Sequence, residues 1–320
     1  MSFSGASIEG DLDLIPEHAE GDVEEAHEIQ GRSTWQLAWA RLKRDRAAII
    51  SAAIIVLIVV VAIFAPLVAS ITGHGVNQQF RTTGLDSFGL PVGPGHTFLL
   101  GTDDQGRDIL VRIAYGARIS LEVGVVATLI TVAIGALLGL AAGYLGGIVD
   151  TIIARLIDLV LSLPYLLFAI SLVSISHPGM SIVIIVIALF GWAAVARIVR
   201  GQVLSIREKE YIEAARSLGA GVWRIMFVDI LPNVTAQLIV YATLLIPVAI
   251  VAEASLSFLG LGIPPPTADW GQMLAEAETI YQQAWWFLVF PGAALLVTTL
   301  AFNILGDGVR DALDPRFDRL

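Results

Sequence analysis

Six apolar runs, at residues 47–70, 120–142, 151–174, 181–199, 234–256 and 285–305, constrain this chain more than any other feature. Each is long enough to cross a hydrocarbon layer about 30 Å thick at about 1.5 Å per helical residue. Mean hydropathy is +0.77 and charged residues make up only 15%, well below the share found in soluble domains. The polar segments between the runs are too short to bury cores of their own. The expected fold is therefore an all-α membrane protein with six transmembrane helices, forming one domain over residues 31–320.

The formal net charge of −10 is unevenly spread. Nine of the 29 acidic residues lie in residues 1–30, which hold no Lys or Arg and no periodic apolar positions. That stretch reads as a disordered acidic cytoplasmic tail. The remainder is close to neutral, so a nucleic-acid partner is not expected; the lipid bilayer is. Arg41, Lys43, Arg44 and Arg46 precede the first run, and Arg197, Arg200, Arg207, Lys209, Arg216 and Arg224 cluster around the fourth connection. Because basic flanks are retained in the cytoplasm, both termini are placed inside, leaving Arg81, Arg107, Arg112 and Arg118 outside. Cysteine is absent, which excludes disulfides and thiolate metal sites. The first apolar run starts too deep for a signal-sequence core, so no cleavable leader is expected.

The outer connection over residues 71–117 ends in Gly101-Thr102-Asp103-Asp104-Gln105-Gly106-Arg107-Asp108-Ile109-Leu110. Thr102 and Gln105 have capping-box spacing, with Asp103 or Asp104 equally able to cap. A short helix is expected there, lying along the outer membrane surface with Arg107, Asp108 and Arg112 wet; it is read either as an ordinary surface helix or as part of a gate. Pro264-Pro265-Pro266 bars a helix between the last two runs, and Trp285-Trp286 marks a membrane interface.

Between the fourth and fifth runs lies a polar, helix-prone insert, residues 205–232. Tyr211, Ala214, Ala215 and Leu218 can form one packed face, and Gly219 suits the positive φ of a helix C-terminus. A second short helix over 220–228 carries Trp223, Met226 and Phe227 as knobs with Arg224 beside them. Pro232 fits the first turn of the next span. A compact two-helix knob has little to bury against except another protein, and Trp and Arg tend to dominate interface energy.

These residues resemble the cytoplasmic signature of bacterial ABC importer permeases: Glu-Ala-Ala, three residues, Gly, nine residues, Ile, any residue, Leu-Pro. Glu213-Ala214-Ala215, Gly219 and Leu231-Pro232 match it in spacing, while Asp229 occupies the Ile position. Gly101–Leu110, the run from Tyr115 to Leu121, Gly143-Tyr144-Leu145-Gly146-Gly147, the run from Glu253 to Gly260, and the end from Gly306 to Arg316 are similar to the dipeptide/oligopeptide/nickel branch, in the subunit usually lettered C. The resemblance implies a type I importer permease in the bacterial inner membrane. Its implied partners are a second permease subunit, two cytoplasmic ATPases that receive the knobs, and an extracytoplasmic solute-binding protein. Under it Glu213 orients the first helix or pairs with a partner, Gly219 sets the turn, and 220–228 occupies the ATPase groove. No cofactor is implied.

The chain's two lysines, Lys43 and Lys209, follow no phosphate-binding glycines, and its five histidines are scattered. ATP hydrolysis and a metal cluster are thus not expected of this chain. Within the runs, Arg155 and Asp158 are expected to pair at i and i+3. Glu122 is expected to reach water. Glu253 is a candidate for the outer gate together with Arg107 and Asp108, or else satisfies backbone at the Gly260 turn. Alternative functions are import of nickel or another small solute, a stand-alone secondary transporter, and a membrane-embedded enzyme. For the last two the bundle offers neither a chain of carboxylates nor a nucleophile–base pair.

Overall fold

Residues 34–313 are described by a computed structural model, and the acidic stretch 1–30 lies outside them. The described residues form helices with two isolated β-bridges in the loop over 73–108. A short helix α1 (Thr34–Leu42) leads into α2 (Arg46–Ile63), which Asp45 caps by accepting from the Ala47 and Ala48 amides. Helix α3 (Ala65–Thr72) continues the first span, and α4 (Ile109–Leu145), 37 residues long, makes the second. Next come α5 (Gly147–Ser162), α6 (Tyr165–Ser174) and α7 (Met180–Ile206). The insert holds α8 (Glu210–Ser217) and α9 (Val222–Arg224); α10 (Leu231–Phe258), α11 (Trp270–Glu278) and α12 (Trp285–Leu313) complete the chain.

Among the described residues, five helices are long and apolar enough to cross a membrane. The expected third span is instead a broken one: α5 and α6 meet at 88°. Pro164 explains the break, since the residue before a proline is driven out of helical conformation and Leu163 is extended at ψ 132°.

The expected interfacial helix at 101–113 does not form. Asp108, not Thr102, Asp103 or Asp104, is the N-cap: its Oδ1 accepts from the amides of Leu110 (2.8 Å) and Val111 (3.3 Å), so the helix it opens is the long span α4 itself.

Helices α4 and α7 run parallel and close. Gly135, Gly139 and Gly143, one turn apart, face Val195, Val199 and Val203 in the same order. A Cβ built on Gly139 would stand 2.6 Å from the Ala196 carbonyl oxygen, and one on Gly135 2.5 Å from Val195 Cβ. Small residues permit this approach where helices associate by packing rather than by excluding water. Gly139→Val is therefore expected to cost about 1–3 kcal/mol by overpacking. The check is the apparent melting temperature in detergent, with Gly201→Val, which meets no atom within 4 Å, as the unperturbed comparison.

The register places both ends of the bundle. Residues 143–147, 206–231 and the ends of α1 and α12 share one end; the loop 73–108 and the segment 259–284 share the other. At the first end a Cβ on Gly308 would meet Ala48 Cβ at 2.7 Å, and at the second Trp286 Nε1 donates to the Thr102 carbonyl at 3.2 Å.

Asp158 does not pair with Arg155. It lies 2.6 Å from Arg197 of α7, and Asp150 of α5 holds Arg200 of α7 through two hydrogen bonds, one of 2.8 Å. Packing of α5 on α7 brings these long-range partners closer than the local i+3 neighbour.

Candidate functional site

The insert is built around one glycine. Helix α8 ends with the Gly219 amide donating to the Arg216 carbonyl and the Ala220 amide to the Ala215 carbonyl, both at 3.0 Å, with Gly219 at φ 82°. This paired closure satisfies carbonyls the helix would otherwise leave open. The face of α8 differs from expectation. Ile212, its only large aliphatic residue, is fully buried against Ile225, Met226 and Ile230, whereas Tyr211, Ala214 and Leu218 are exposed.

The second helix of the knob is not separate either. Helix α9 passes through a π-helical turn, Ile225–Ile230, into α10, giving one helix from Val222 to Phe258. Pro232 lacks an amide and would crowd the carbonyl four residues back; the wider turn, in which the Leu231 amide reaches the Met226 carbonyl, accommodates it. The same turn directs side chains. Met226 is buried in the bundle core, which corrects its expected place among the knobs. Phe227 is half-buried and stacks on Trp223 at 5.6 Å between ring centroids and 13° between planes. Trp223 is 74% exposed and Leu218 89%, with Val222, Arg224 and Val228 also open. Glu213 is exposed at the rim of a polar cleft that also borders Arg207, Arg216 and Tyr144. Arg207 ties this end of α7 to α4 by donating to the Gly143 carbonyl at 3.1 Å.

At the opposite end the expected gate residues are not wet. Arg107, Asp108 and Arg112 are all at least 98% buried. Asp103 is their hub, although the sequence reading offered it only as a cap. It accepts from the Arg107 amide (2.8 Å) and Arg107 Nε (2.5 Å) and lies 3.3 Å from Arg112 Nε. Arg107 also reaches Glu276 of α11 at 3.0 Å, and Arg112 reaches Asn77 at 3.3 Å. Asp108 turns its second oxygen to His74, at 2.5 Å, whose ring packs between Phe80 and Phe98. Buried charges need such partners, and the loop wraps inward to supply them. Burial pushes the carboxyls of Asp104 and Glu276 above the usual carboxylate range, against the pull of Arg107 and Arg112.

Glu253 is not brought to Arg107 and Asp108. Fully buried, it accepts from Ser257 (2.8 Å) and Ser120 of α4 (3.2 Å). It does not serve the Gly260 turn, which closes by the Gly260 amide on Ser257 and the Leu261 amide on Leu256. Its neighbour is Asp269, the N-cap of α11, equally buried and with a carboxyl raised by that burial. Helix α11 thus joins the two clusters, held by Asp269 at one end and Glu276 near the other. Neither Asp269 nor Glu276 carried a local sequence signal strong enough to single it out.

Asp103, Asp104 and Glu276 place carboxylate oxygens within 4.8 Å of one another, but the two guanidinium groups beside them already supply the countercharge.

Residues 135–319 match the family described as binding-protein-dependent transport system inner membrane component, and residues 33–84 match the N-terminal TM domain of oligopeptide transport permease C. The chain belongs to the binding-protein-dependent transport permeases. It is 44% identical to the dipeptide transport system permease protein of Bacillus subtilis (strain 168), over 89% of this chain and 86% of that one. It is 42% identical to the di/tripeptide transport system permease protein of Pseudomonas aeruginosa (strain UCBPP-PA14), over 87% and 91%, and 42% identical to the oligopeptide transport system permease protein of Escherichia coli (strain K12), over 90% and 93%. As such a permease, the chain is a multi-pass inner-membrane protein with the type I importer fold and is a transport subunit. The matched segments take in the insert over residues 205–232, both span ends it joins, and the first span with part of the outer loop.

Proposed function

We propose that the chain is the C-type pore subunit of an ATP-driven peptide importer, paired with a second permease and driven by two cytoplasmic ATPases through residues 205–232. An extracytoplasmic binding protein would deliver the cargo to the end that carries the 73–108 loop. The observation that carries the coupling role is the exposed surface of Leu218, Val222 and Trp223 on a knob whose inner face is fixed to the bundle by Ile212, Met226 and Ile230. An isolated soluble loop would have no reason to present a stacked Trp223–Phe227 pair to water. Because α9 is continuous with α10, a push on Trp223 moves a helix that reaches Glu253 at the far end. Rigid transmission of this kind suits rocking between inward and outward openings.

Orientation follows from charge. The end that holds the knob also carries Arg41, Lys43, Arg44, Arg46, Arg207, Lys209, Arg216 and Arg224. At the other end, two of the basic residues, Arg107 and Arg112, are neutralised inside the Asp103 network. The knob is therefore assigned to the cytoplasm.

Two expected outcomes test this reading. Purified under conditions that preserve complexes, the chain brings down a second permease and two ATPases, and uptake by the reconstituted assembly is inhibited by dipeptides rather than by Ni²⁺; inhibition by Ni²⁺ alone would favour the small-solute alternative. Gly219→Val forces a β-branched residue into left-handed backbone at a cost of about 1–2 kcal/mol. Since a Cβ there meets no atom within 4 Å, the effect is confined to the turn. Membrane insertion stays intact while uptake per ATP hydrolysed falls, and Gly219→Asn, which tolerates that backbone, retains most of it. Unchanged uptake in the Val variant would remove the turn from the mechanism.

A further inference from the structure

Glu253 and Asp269 bring two carboxyl groups together in the interior with no base to neutralise them. Glu253 on α10 and Asp269 at the start of α11 are both fully buried, and each side chain is within hydrogen-bonding reach of the other. Among the described residues, no Lys, Arg or His side chain pairs with either. The donors they do have are neutral. Ser257 and Ser120 donate to Glu253, at 2.8 and 3.2 Å, and the Gly271 amide donates to Asp269 Oδ1 at 3.1 Å. Asp269 Oδ2 is buried and receives no hydroxyl or amide, which leaves it open to a proton carried by Glu253.

Charged groups on the surrounding elements are engaged elsewhere. On α4, Arg118, over the Tyr115 ring, and Glu122 are exposed, whereas Arg112 belongs to the Asp103 cluster. On α11, Glu276 holds Arg107 and Glu278 is exposed. Residues 259–268 carry no charge, and α7 and α12 carry theirs toward the opposite end of the bundle. Packing closes the site. A Cβ on Gly271 would stand 2.4 Å from the Ala254 carbonyl oxygen, one on Gly262 1.8 Å from Ser257 Oγ, and one on Gly116 2.8 Å from Trp270 Cδ1. Two adjacent carboxylates sealed from water cannot both hold their charge, because each loses hydration and each repels the other. A helix N-cap favours negative charge, so the charge stays on Asp269 and the proton on Glu253.

We propose that Glu253 and Asp269 form a proton-binding site, in which one proton, carried by Glu253 and donated to Asp269 Oδ2, fastens α11 to α10. The joint has a telling position. Glu253 lies on the continuous helix that begins at Val222 in the knob, and α11 carries the Glu276 that holds Arg107 in the outer loop. Any movement of that helix against α11 strains this contact. A proton needs only the two oxygens, whereas a hard cation such as Ca²⁺ takes about six to eight. The close contacts at Gly262 and Gly271 favour the smaller occupant.

Unfolded carboxyls give up their protons near about pH 4, whereas the folded pair keeps one. The stability it contributes is complete below that value and is lost as pH rises toward the folded pair's own titration. Parting α11 from α10 wets both carboxyls and releases the proton, so rising pH favours it by up to about tenfold per pH unit.

The test uses the full chain in lipid nanodiscs. Glu253→Gln keeps the size and a donor to Asp269 but carries no titrating proton. At neutral pH the infrared difference between wild type and this variant contains a protonated-carboxyl C=O band that shifts in D₂O. From about pH 5 upward, the melting temperature of the wild type falls relative to the Gln variant by on the order of 2–4 °C per pH unit. Glu122→Gln, at an exposed carboxyl of α4, keeps a constant offset from the wild type. Replacing Na⁺ by N-methylglucamine changes none of these. Absence of the band, or an offset of Glu253→Gln that does not vary with pH, overturns the proposal. Stability that follows Na⁺ makes the pair a cation site and overturns it too. Failure of the Gln variant to fold counts equally against it, since Gln reproduces the protonated acid in size and in donor.

Discussion

Asp103→Ala is expected to cost about 3–5 kcal/mol, because it leaves the buried Arg112 guanidinium without its carboxylate partner and takes from Arg107 the nearest of its own. Asp103 is fully buried and is the carboxylate that both Arg107 and Arg112 approach. Of the remaining partners, Glu276 at 3.0 Å and Asp104 at 3.7 Å reach Arg107, whereas Asn77 offers Arg112 only a neutral oxygen at 3.3 Å. The loop over 73–108 should then detach from α4 and α11, since Asp103 also accepts the Gln105 and Arg107 amides that shape its last turn. The expected readings are a large drop in apparent melting temperature and new protease sensitivity between residues 73 and 108. Asp103→Asn, which keeps the amide acceptor but not the charge, should fall between. A melting temperature unchanged in the Ala variant would mean that the arginines are not held by this residue.

Trp223→Ala should weaken ATPase binding by about 2 kcal/mol or more, roughly thirtyfold, with little change in the stability of the permease itself. Trp223 is 74% exposed, so its truncation removes almost no packing from the free chain beyond the stack on Phe227. A loss of affinity in this variant would therefore be a loss of association energy. Titration of the purified ATPases against permease in nanodiscs gives the affinity directly. Phe88→Ala, at a residue 87% exposed in the opposite loop, controls for loss of an exposed aromatic and should leave that affinity unchanged. Equal affinities for Trp223→Ala and the native chain would move the docking surface away from α9.

Apolar run length was enough to place five of the six crossings, because a span's length is fixed by the bilayer and needs no partner to read. The turn at Gly219 was equally legible, since glycine at that offset from a helix end has a local backbone reason. The break at Leu163-Pro164 had a local signal too, but the hydrophobicity on either side masked it. What the sequence did not reveal depends on who faces whom. Arg155 and Asp158 have pairing spacing, yet Arg197, 39 residues beyond Asp158, takes the carboxylate because α7 lies against α5. Asp103 looked like a helix cap and proved to be the counterion of two arginines. Met226 looked like a knob, but the π-helical turn that relieves Pro232 rotates it into the core. Ile212 has no local mark, because the packed face of α8 is set by the α10 extension, which local periodicity does not report.

The most direct test of the account is the sidedness of the knob, read on a chain with no native thiol. Leu218→Cys and Phe88→Cys each place one exposed thiol at opposite ends of the bundle. With a membrane-impermeant maleimide, Phe88→Cys should be labelled in intact cells, whereas Leu218→Cys should be labelled only after lysis and be shielded when the ATPases are bound. Labelling of Leu218→Cys in intact cells, or equal labelling with and without the ATPases, would contradict it.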